Sequence, residues 1–174
     1  MPKKFTFEDY KSFIKDTELD TYEHEEYLIN RKITSIDEKQ YEGVEEITSP
    51  GGVIIPVSKI ACSYLTKDYD GSSLYELLTN NKHHGRVDSL NQFFKILQEN
   101  GVQKCKDWLK SPDCASSDSS QVYGKGGELP NAKYYPDLNK YLINTGKNRA
   151  FSAMLIRAEE ICFNSITIQR KNLI

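Results

Sequence analysis

No apolar run in this 174-residue chain approaches the ~20 residues needed to cross a bilayer. The opening Met1-Pro2-Lys3-Lys4-Phe5 also lacks the apolar segment of a secretory leader. Neither a membrane span nor export is expected, and the chain reads as cytoplasmic. Cysteine is sparse as well. Cys62, Cys105, Cys114 and Cys162 are widely separated and include no C-x-x-C pair, which removes the usual zinc signatures. They read as reduced thiols in or near the core. His24, His83 and His84 form no i, i+4 pair, so no protein-held metal is expected. An excess of positive charge is missing too: 23 Lys and Arg against 25 Asp and Glu leave a net charge of −2 and a pI near 6.0. General attraction to nucleic acid is thereby excluded, and a DNA-binding or nuclease activity is the third-ranked reading.

What is present suffices for one sizeable core. Hydrophobic residues make up 38% of the chain, with 11 Tyr and 7 Phe, so the mean hydropathy of −0.61 does not signify disorder. Residues 1–50 read as a charged helical extension. Phe5, Tyr10, Phe13 and Ile14, then Tyr22, Tyr27, Leu28 and Ile29, suit two short amphipathic helices. Thr6 is a capped start for the first, and Ser35-Ile-Asp-Glu38 has capping-box spacing for a third. Residues 5–46 could serve a protein partner. Ser49-Pro-Gly-Gly52 is read as a break, with a second domain over residues 51–174.

Beyond the break, Val53 to Ile60 reads as a buried strand in which Pro56 marks an edge or an end. Ser72 to Leu78 suits a short helix. Arg86 to Gly101 carries the strongest helical pattern, with Val87, Leu90, Phe93, Phe94 and Leu97 at three- and four-residue steps. Val102 to Leu109 is read as a second strand, with a continued helix as the alternative. Ser111 to Asn131 is a long loop whose Gly124-Lys-Gly-Gly127 could wrap phosphate, although a flexible linker suits its composition better. Tyr141-Leu-Ile then runs through Gly146 into a helix beginning at Ala150 and closing at Ala158-Glu-Glu160, before a last strand at Ile161 to Ile168. A strand feeding a helix through glycine presents free amides and a positive dipole end to an anion, and Lys147 and Arg149 add charge there. The expected class is α+β (α/β), a small mixed sheet flanked by helices.

Three segments together resemble the ParB/sulfiredoxin superfamily over residues 53 to 170. Ile55-Pro-Val-Ser-Lys-Ile60 is similar to its Ile-Pro-x-x-x-Ile opening strand. Arg86-Val-Asp-Ser-Leu90 resembles the Lys-Val-x-Ser-Leu helix start of sulfiredoxins. Thr145-Gly-Lys-Asn-Arg-Ala150 resembles the Gly-Gly-Cys-His-Arg and Gly-Glu-Arg-Arg turns. The resemblance implies a pocket for ATP or CTP with Mg²⁺, contacted by Arg86, Ser89, Thr145, Gly146, Lys147, Asn148 and Arg149, with Arg149 forking two phosphate oxygens. It implies phosphoryl transfer or NTP hydrolysis, for which Asp68, Asp70 and Glu76 are the candidate bases. Lys147 stands at the sulfiredoxin cysteine, so sulfinic acid reduction, which needs a thiolate, is not expected. Asn148 replaces a histidine or arginine and cannot shuttle a proton at neutral pH. No helix-turn-helix follows before Ile174, so chromosome segregation is not expected either. The competing reading is a non-enzymatic adaptor or inhibitor, as mobile elements carry, acting through the N-terminal helices.

Overall fold

The structure is a computed structural model and describes residues 4–116 and 129–172. Thr6 opens the first helix, α1 (Phe7–Ile14), with a reciprocal cap: its hydroxyl accepts from the Asp9 amide at 3.2 Å, and its own N–H donates to the Asp9 carboxylate at 2.8 Å. Thr21 caps α2 (Tyr22–Asn30) one way only, its hydroxyl accepting the His24 amide at 3.1 Å. Both helices bury one face, Tyr10 and Ile14 on α1, His24 and Leu28 on α2. The helix expected at Ser35 does not form. Glu38, which would have closed its capping box, instead receives Lys133 at 2.8 Å and Lys67 at 3.3 Å, and the Ser35 amide donates to Asp70 at 2.8 Å. Contacts distant in sequence outweigh the local cap, and only a 3₁₀ turn at Glu38–Gln40 remains.

The chain then enters β1 (Tyr41–Pro56), followed by β2 (Ile60–Ser63), α3 (Leu74–Thr79), α4 (Val87–Asn100), α5 (Val102–Leu109), α6 (Pro112–Ala115), β3 (Asn131–Tyr135), β4 (Lys140–Thr145), α7 (Lys147–Leu155) and β5 (Glu160–Lys171). The strands form one mixed sheet in the order β1-β5-β3-β4-β2. β5 pairs antiparallel with β1 and parallel with β3; β4 pairs antiparallel with β3 and parallel with β2. The class is α+β, as expected. Pro56 ends an edge strand, the position its missing N–H allows.

Ser49–Gly52 does not interrupt the strand. β1 passes through it with a shift in register between Thr48 and Val53. Gly52 is held at φ +95°, and a Cβ there would lie 2.5 Å from Cys162 Sγ. Proline and paired glycine here build a bulge, not a linker. Val102–Leu109 is helix α5 and not a strand: Val102, Cys105 and Leu109 recur at helical spacing and all three are buried. The α7 helix begins at Lys147 and ends at Leu155, three residues before the Ala158 close expected from sequence. Gly124–Gly127 lies outside the described residues.

Residues of the N-terminal segment sit in the same buried cluster as those of α4, α7 and the sheet. Phe5 stacks on Phe94 with centroids 5.5 Å apart, and Tyr10 meets Phe94 edge-on at 5.3 Å. Two tyrosines from α1 and α2 also finish α7. Tyr10 donates its hydroxyl to the Leu155 carbonyl at 2.9 Å and Tyr27 donates to the Met154 carbonyl at 2.8 Å. Helix C-terminal carbonyls need such donors. No described helix is long and apolar enough to cross a membrane.

Candidate functional site

β4 delivers the chain to Gly146, whose φ of +93° turns it directly into α7. A Cβ at this position would stand 2.7 Å from Pro130 Cβ, so both the backbone conformation and the space require glycine. The next three residues point about 100° apart around the new helix and enter three different environments.

Asn148 reaches across to α4. Its Oδ1 accepts the Arg86 main-chain N–H at 3.0 Å. Arg86 is the N-cap residue of α4 and has no side-chain acceptor with which to cap it, so the neighbouring helix supplies one. The N-termini of α4 and α7 are thereby tied together. The Arg86 guanidinium folds over its own helix and donates from Nη2 to Ser89 Oγ at 2.6 Å, with Ser89 fully buried. Ser89 thus orients the Arg86 guanidinium.

Lys147 is half-buried beside this pair. Lost hydration, and next the charge of Arg86, lower its pKa from the ordinary lysine value. Neither Lys147 nor Arg86 has a carboxylate within 4.0 Å among the described residues. Asp88, in the first turn of α4, is the acidic residue nearest in sequence. Arg149 goes the third way: it is only 5% exposed, and its charge is felt by the Cys114 thiol of α6. Thr145 ends β4 opposite Asn131 and leads into the turn. Of the seven residues expected at the site, Arg86, Ser89, Lys147 and Asn148 form one corner. Thr145 and Gly146 set its backbone, and the Arg149 side chain lies inward.

His83 supports the corner from beneath. Its Nδ1 accepts the Gly85 N–H at 3.0 Å, and its Nε2–H donates to the Phe5 carbonyl at 3.0 Å, which fixes the neutral tautomer. Burial lowers its pKa, consistent with that state. Phe151 stacks on it at 5.0 Å. The adjoining hole, lined by His83, Lys147 and Phe151, measures about 20 Å³ and takes no more than a water. The corner can therefore hold an anion at the surface through two cations and the first amides of two helices.

Two of the three candidate bases, Asp70 and Glu76, are engaged in structural bonds. Asp70 accepts the Ser35 amide, and Glu76 caps α3 with Ser73. Asp68 sits in the 3₁₀ turn after β2. All four cysteines are buried free thiols, and burial pushes Cys62 and Cys114 up to about 12 and Cys105 to about 11. Among the described residues no group of His, Cys, Asp or Glu is arranged to hold a metal ion.

Sequence reasoning missed the supporting role of His83, which was visible only as part of a polar loop. It also missed a large cleft at the opposite end of α7, whose Lys106 and Lys110 line up only once α5 is a helix. No family model, curated protein or solved structure matches this chain, so the resemblance stands on its three motifs.

Proposed function

We propose that the chain is a nucleotide-binding domain of ParB/sulfiredoxin type that grips the polyphosphate of ATP or CTP, with its Mg²⁺, where α4 and α7 meet. The observation that carries this reading is the pairing of Arg86 with Lys147 across the Arg86–Asn148 bond. Two cations held in each other's field, one half-buried, weaken the free protein, and an anion between them relieves that cost. Both adjoining helix N-termini contribute in the same direction. In the complex Arg86 and Lys147 neutralise phosphate charge, Ser89 orients Arg86, and Asn148 keeps the two helices in register. Four unpaired thiols suit a reducing compartment, in keeping with a cytoplasmic protein.

Binding ranks ahead of turnover in this reading. Phosphoryl transfer or hydrolysis needs a group to orient the nucleophile, and Asp70 and Glu76 already serve structural bonds. Arg149 is a poor probe of the proposal, because truncating a buried cation perturbs the fold as well as the ligand. The test is thermal melting with ATP or CTP, with and without Mg²⁺, on the parent and an Arg86→Gln/Lys147→Gln variant. A ligand that binds only the folded state raises the melting temperature. The parent should respond and the variant should not; an equal response in both would refute the proposal.

A further inference from the structure

The cleft missed by sequence reasoning lies between α2, α5 and the turn from α7 into β5, with a volume of about 840 Å³. That is the size of a small-molecule site. Arg31, Lys106, Lys110 and Arg157 line it, against two carboxylates, Glu159 and Glu160. Arg31 is fixed at its floor, donating to the carbonyls of Val57 at 3.3 Å and Ile60 at 2.6 Å. Lys106 is half-buried and has no carboxylate within 4.0 Å among the described residues. Lys110 and Arg157 meet Asp107 and Glu23 only at 3.8 and 3.9 Å, and all four side chains are more than half exposed. Such pairs are weak and easily exchanged for another anion.

Arg157 carries a second indication. It follows the C-cap of α7 at φ +59°, a position where glycine or asparagine is the low-strain choice. The left-handed residue closes α7, with the Arg157 N–H on the Met154 carbonyl at 3.2 Å and the Ala158 N–H on the Ala153 carbonyl at 2.9 Å, and this stop fixes where the Arg157 side chain leaves the helix. Its guanidinium lies over the Tyr27 ring, 4.9 Å from the centroid, at the wall of the cleft. The fields of Arg157 and Lys106 both act on buried His24 and help to lower its pKa to about 4, after burial itself. Positive potential from two separate elements thus converges at this end of α7.

We propose that this cleft is a second anion site, taking a small, multiply charged phosphate compound held by Lys106, Lys110 and Arg157 over the fixed charge of Arg31. Guanidinium and ammonium groups suit the several oxygens of a phosphate. The site is independent of the corner at Arg86 and Lys147, since the two lie at opposite ends of α7.

The test titrates pyrophosphate calorimetrically into the Arg86→Gln/Lys147→Gln protein, in which the first corner is silenced, and into the same protein with Lys106→Gln and Arg157→Gln added. Binding is expected in the first protein, weakened about tenfold or more in the second, as loss of charge-assisted contacts requires. Absence of binding in the first, or equal affinity in both, would overturn the proposal. Citrate bound as tightly as pyrophosphate would overturn the phosphate assignment. If the quadruple variant melts early, Lys106→Gln alone replaces it, with the same two outcomes.

Discussion

The main-chain N–H of Arg86 donates to Oδ1 of Asn148 at 3.0 Å, so the N-cap residue of one helix is bound by the second residue of another. This bond aligns two helix N-termini and brings Arg86 and Lys147 together. Replacing Asn148 with Asp keeps the acceptor but adds a negative charge between the cations. Asn148→Asp should melt at or above the parent temperature while binding nucleotide about tenfold more weakly, a loss of ~1.4 kcal/mol. Asn148→Ala should lose ~1 kcal/mol of stability through the missing cap. Urea unfolding and calorimetry separate the two effects.

Gly146 meets two independent demands, a φ of +93° and the 2.7 Å approach of Pro130. Gly146→Ala should therefore destabilise the protein by at least ~1–3 kcal/mol, the range for backbone strain of this kind. The measurement is the urea midpoint at constant slope.

His24 gives the fold a pH dependence with a definite sign. Its folded pKa is lowered to about 4, chiefly by burial and then by Arg157 and Lys106. Unfolded, it titrates near ~6.5. Stability from this group is complete above pH ~6.5 and falls as the pH drops to about 4, because only the unfolded chain takes up the proton readily. The loss should not exceed ~3 kcal/mol. His83 adds to it in the same direction. Urea unfolding of the parent and His24→Gln between pH 7 and pH 4.5 should show a shallower pH slope in the variant. Parallel slopes would contradict the assignment.

Tyr10 links the N-terminal segment to α7 through the Leu155 carbonyl, and its oxygen also receives His24 Nε2–H. Tyr10→Phe leaves both partners buried and unsatisfied, at a cost of ~1–3 kcal/mol. Deletion of residues 1–48 removes Phe5, Tyr10 and Leu28 from the shared core and should abolish cooperative unfolding, whatever partner α1 and α2 serve. Thermal melts followed by circular dichroism check both expectations.

The parts of the fold legible in the sequence are those where periodicity, a cap and a breaker agree. α4 combines a buried stripe from Leu90 to Leu97 with a stop after Asn100, and Tyr141–Ile143, Gly146 and Ala150–Leu155 mark β4, the turn and α7. The failures occur where a distant partner decides. Glu38 abandons a local cap for Lys133, 95 residues away, and Ser49–Gly52 becomes a bulge because β5 pairs on both sides of it. In α5 the interval from Cys105 to Leu109 also fits a strand-like reading of a short apolar pattern, and only its buried face resolves the choice. At the candidate site, the sequence indicated the two segments but not the directions of their side chains. Arg149 looks equivalent to Lys147 in the sequence, yet one turns inward toward Cys114 and the other stays beside Arg86.

The most direct measurement of the central claim is a calorimetric titration of ATP and CTP with Mg²⁺ into three proteins: the parent, Arg86→Gln/Lys147→Gln, and Lys106→Gln/Arg157→Gln. We expect saturable binding in the parent, retained in the last variant and weakened about a hundredfold, ~2.7 kcal/mol, when the Arg86–Lys147 pair is removed. Undiminished nucleotide affinity in the Arg86→Gln/Lys147→Gln protein, with its melting temperature unchanged, would contradict the assignment of this corner as the phosphate site.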